Sequence, residues 1–152
     1  MKYRIFAGLF FGIFAAPALC AANISVLVIE AGLNGEKSGT PYAALWENAL
    51  LDAFFDSGHI ITNSPKIQIN GKDDDFPPEA EREFIYAKEG GMDFFLIALI
   101  DYSTSIVSLR LFDTRSSKKV LDQMYAAGTF RSTRDETDKI KTAARIMAAH
   151  VR

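Results

Sequence analysis

The chain has 152 residues, which suits one domain with its own core. Hydrophobic residues make up 49% of it and charged residues 24%, so disorder throughout is excluded. A formal net charge of −2 argues against nucleic acid as a partner.

The first segment has the composition of an export leader. Lys2 and Arg4 precede residues 5–19, an uncharged apolar stretch followed by small residues. The stretch is short for a membrane span, which needs about 20 residues. A signal peptide over 1–22 is therefore expected, followed by a single domain over 23–152 and no transmembrane span after cleavage. Two cleavage frames fit. One uses Ala18 and Cys20 as the small residues before the cut; the other uses Cys20 and Ala22. Lipid anchoring through Cys20 is the minority alternative. A lipobox wants Leu where Pro17 stands and a small residue where Leu19 stands. Cys20 is the single cysteine, so either cut removes disulfides, a cysteine nucleophile and cysteine-ligated metal together. A periplasmic or otherwise exported location follows. Losing Lys2 and Arg4 takes the net charge from −2 to −4.

"NISVLVIEA" reads as a first strand, and "AGLNGEKSGT" as the loop after it. Thr40 can cap a helix with Pro41 at its first position. The apolar stripe of that helix is Tyr42, Leu45, Trp46, Ala49, Leu50, Ala53 and Phe54, with Gly58 placed to end it. "HIITNSPKIQIN" is a second strand, interrupted at Pro65. After the loop "GKDDDFPP", "EAEREFIYAKEGG" is a short helix with acids in its first turn and Lys88 in its last. "MDFFLIALIDY" has the unbroken apolar run of a strand buried on both faces. "SIVSLRLFD" alternates, with Val107, Leu109 and Leu111 on one face and Ser108 and Arg110 on the other. "TRSSKK" is a turn, and "VLDQMYAAGTF" a fifth strand. Thr133 and Glu136 form a capping box for a last helix, whose stripe is Ile140, Ala143, Ala144, Met147 and Val151.

The order β-α-β-α-β-β-β-α predicts an α/β fold with one mixed sheet. Helical crossovers make the first three strands parallel, tight turns make the last three an antiparallel meander, and the helices pack on the sheet.

Four stretches carry a family resemblance. They are "ISVLVIEA", "LWENALLDAFFDSGHIITNSP", "EFIYAKEGGMDFFLIALIDY" and "VSLRLFDTRSSKKVLDQM". Together they resemble a group of envelope domains: the amino-terminal domain of TolB, the lipoprotein activators of penicillin-binding proteins, and the CsgG family. The chain departs from that group in having no propeller repeat, no long membrane-inserting hairpins and no good lipobox. The resemblance implies an assembly or interaction module of the bacterial cell envelope.

The residues themselves point to no reaction. "AGLNGEKSGT" lacks the glycine a phosphate loop needs before its lysine, and Glu36 there would repel phosphate. Asp73, Asp74 and Asp75 do not by themselves converge on a cation, and the two histidines, His59 and His150, are isolated. "SSKK" matches a Ser-x-x-Lys motif formally but sits in a strand turn, not at a helix start. Trp46, Phe54, Phe55, Phe94 and Phe95 have core spacing. No catalytic residue, metal or cofactor is expected.

One positional inference remains. In consecutive parallel β-α units the loops leaving the strands gather at one sheet edge. Asn34, Lys37, Asp73, Asp74, Asp75, Asp101 and Tyr102 would then share a polar rim, the candidate binding surface. The expectation is a non-enzymatic module that binds a protein or cell-wall partner, with a homo-oligomer left open. The alternative is a small exported hydrolase whose site forms only in the fold.

Overall fold

The computed structural model of the protein describes residues 21–33, 40–69, 76–128 and 134–151. Its elements are β1 (Asn23–Ala31), α1 (Pro41–Asp56), β2 (Ile60–Asn63), β3 (Ile67–Ile69), α2 (Pro78–Glu89), β4 (Phe94–Asp101), β5 (Ile106–Asp113), β6 (Lys118–Ala126) and α3 (Arg134–Ala149). One mixed six-stranded sheet has the order β2-β1-β4-β5-β6, with β3 also on β1. β2, β3 and β4 run parallel to β1, and β4-β5-β6 is the expected antiparallel meander.

The apolar runs of β1 and β4 place these strands at the centre. Ile24, Val26 and Val28 join Leu96, Ala98 and Ile100 on the face covered by α1 and α3. Leu27 and Ile29 join Phe95, Ile97 and Leu99 on the face covered by α2. Alternation sends successive residues to opposite faces, so burial on both sides removes the polar half of the pattern.

α1 begins as its sequence requires. The Thr40 hydroxyl accepts the Ala43 N–H at 3.1 Å, and Pro41 fills the first turn. Beyond its end, Gly58 adopts φ +84°, and the His59 N–H donates to Phe54 O at 3.1 Å. Of the expected stripe, all but the half-buried Leu45 are buried. Every member of the α3 stripe is buried, from Ile140 to Val151. Thr133, the expected cap of α3, lies outside the described residues.

The second strand is interrupted at Pro65 as expected and forms two pieces, because between Val26↔Asn63 and Ile29↔Ile67 the edge advances four residues while β1 advances three. The extra residue falls around Pro65, whose nitrogen has no hydrogen to donate. The "TRSSKK" turn is shorter than read: Lys118 and Lys119 already pair with Asp113 and Phe112. β6 therefore starts at Lys118 rather than Val120 and ends at Ala126. Phe55 is no core residue but 72% exposed, since one helical step of about 100° from Phe54 turns it to solvent. Phe94 is only half-buried. Ser108 and Arg110 do face away from Val107 and Leu109, yet they are buried as well.

Candidate functional site

β1 and β4 are paired through their last residues, Ala31 and Asp101, so the loops leaving them start side by side. Gly32 allows this approach. It has φ +74°, and a Cβ there would stand 3.0 Å from the Ser103 nitrogen. The Asp101 carboxylate accepts the Ser103 N–H at 2.8 Å and its hydroxyl at 2.6 Å, then the Thr104 N–H at 3.3 Å and its hydroxyl at 2.7 Å. Burial pushes its pKa up, but these four donors outweigh burial and hold it below the usual value. Asp101 is spent on its own turn.

Tyr102 turns inward to Glu30, a residue that sequence reasoning passed over as part of a strand. Glu30 is fully buried. Its Oε1 accepts the Tyr102 hydroxyl at 2.8 Å, the Thr40 hydroxyl at 2.6 Å and the Thr40 N–H at 3.2 Å. The carboxylate thus sits under the amino terminus of α1, where the helix dipole favours negative charge. Burial raises the Tyr102 pKa; the Thr40 hydroxyl opposes that, and the adjacent Glu30 charge adds to it. The one available signal was parity: Glu30 shares a face with Val26 and Val28, so it had to be buried.

A second carboxylate repeats the arrangement at α3. Glu136, in the first turn of that helix, accepts the Tyr42 hydroxyl at 2.8 Å and the Gly128 N–H at 3.2 Å. Burial is the main cause that pushes Tyr42 up to about 12, opposed by Trp46 and reinforced by Glu136. The indole N–H of Trp46 is buried beside Tyr42 without closing a bond of normal geometry. Both carboxylates therefore tie helix starts to the sheet.

Beside this cluster, α3 and β6 frame an open groove of about 500 Å³. Trp46, Tyr125, Ile140, Ala143 and Ile146 give it an apolar lining. The Trp46 and Tyr125 rings are 5.9 Å apart, and Ile146 is 43% exposed. Asp135, Asp138 and Lys139 supply charge at the same groove. A second depression of about 420 Å³ lies against α2, lined by Phe76, Phe84, Ile85 and Phe112.

Of the expected rim, two residues are described. Asp101 and Tyr102 come together with Gly32 and Thr40, but both side chains serve the fold. Asn34, Lys37, Asp73, Asp74 and Asp75 lie outside the described residues, as do Ala18 and Cys20. Ala22 is described, and its N–H donates to Nδ1 of the buried His59 at 3.2 Å. Among the described residues, no group of three or more His, Cys, Asp or Glu is placed to hold a metal ion. Nor is any helix among them long and apolar enough to cross a membrane.

A family model described as "Uncharacterised protein" matches residues 35–117. No curated protein matches the chain. Among solved structures, the PelC dodecamer from Paraburkholderia phytofirmans is similar at 12% identity and a TM-score of 0.43, covering 86% of this chain and 84% of that one. Lipoprotein GNA1162 from Neisseria meningitidis is similar at 15% identity and 0.44, covering 84% and 96%. TolB from Acinetobacter baumannii is similar at 12% identity and 0.46, with 84% of this chain matched to 26% of TolB. At these identities the likeness is one of fold.

Proposed function

The chain belongs to the family described as "Uncharacterised protein", and from its groove we propose that it is a non-enzymatic interaction module of the bacterial cell envelope that binds a protein partner. The observation that carries this reading is the apolar groove between α3 and β6. Aromatic and aliphatic surface that is open to solvent yet concave is the chemistry of an anchor site for another protein's side chain. Ile146 is its most telling residue. It sits on a helix whose buried stripe is already complete through Ile140, Ala143, Ala144 and Met147, so the fold does not need it. Glu136, one of the carboxylates lining the groove, has its Oε1 occupied by Tyr42 and Gly128, which suits a support better than a reacting group.

Site-specific photo-crosslinking in the native cell tests the reading. A crosslinker at Ile146 should capture one defined partner, and a crosslinker at Asp52 on the exposed face of α1 should not. Ile146→Arg should abolish co-purification of that partner while leaving the thermal melt unchanged. Equal capture by wild type and Ile146→Arg would dismiss the groove as the contact.

A further inference from the structure

We draw no further inference here: the strongest candidate, the outer edge of β6 with the exposed Met124 on that strand, supports none, because nothing in the structure shows what covers it.

Discussion

A single carboxylate, Glu30, joins the end of β1, the start of α1 and the turn after β4. Its partners Thr40 and Tyr102 stand 10 and 72 residues away in sequence. Tyr102→Phe keeps the ring and removes one charge-assisted bond, so denaturant melts should show a loss of about 1–3 kcal/mol. Tyr42 adds a pH dependence. Its folded-state pKa, pushed to about 12 chiefly by burial, lies above the ordinary tyrosine value of about 10. The unfolded chain therefore loses that proton first, and stability present below about pH 10 should fall as pH rises toward about 12. Tyr102 is shifted in the same direction, so Tyr42→Phe should flatten the alkaline decline without abolishing it. Tm measured against pH checks this. Of the cluster, Thr40 was read as the cap of α1, but the role of Glu30 was not read. A Glu at the end of a strand looks like the start of a polar loop until the residues that fold over it are known. Tyr102, by contrast, was singled out as part of a rim, and its half-buried side chain donates to Glu30.

Local pattern is what made the elements readable. α1 carries its own cap, stripe and stop, and β4 its own apolar run, so neither needed a partner to be recognised. The test of α1 is a contrast across the helix. Leu50 is fully buried in the middle of the stripe, and Leu50→Ala should cost about 2–5 kcal/mol. Asp52 is exposed, and Asp52→Ala should stay within about 0.5 kcal/mol. Equal, small effects in urea melts would show that the stripe does not pack as described. The elements that were misread depend on neighbours instead. Whether Lys118 belongs to a turn or a strand is decided by Asp113 across the hairpin. The break in the edge beside β1 was legible from Pro65, but the extra residue that accompanies it is counted only against the pairing with β1.

At the scale of the whole molecule, the amino-terminal end of the domain is fastened from two sides. The Ala22 N–H donates to His59 Nδ1 at 3.2 Å, and its carbonyl accepts the Ile60 N–H at 3.0 Å. The Asn23 N–H donates to Asp93 Oδ2 at 3.0 Å, and its carbonyl accepts the Asp93 N–H at 2.8 Å. Ala22 therefore holds the edge at β2, and Asn23 holds the turn before β4. If residues 1–22 contain an export leader, as their composition predicts, the two cleavage frames are no longer equivalent. A cut after Ala22 removes both bonds at His59 and Ile60. A cut after Cys20 keeps them, so the mature chain is expected to begin at Ala21. Two bonds at a partly buried edge contribute about 1–3 kcal/mol together, so a chain starting at Asn23 should melt earlier than one starting at Ala21. Amino-terminal sequencing and intact mass of the protein from its native cell measure the start directly. A first residue of Asn23 would mean that the edge at His59 holds without Ala22, and a diacylglyceryl-modified Cys20 would replace both frames with a lipid anchor.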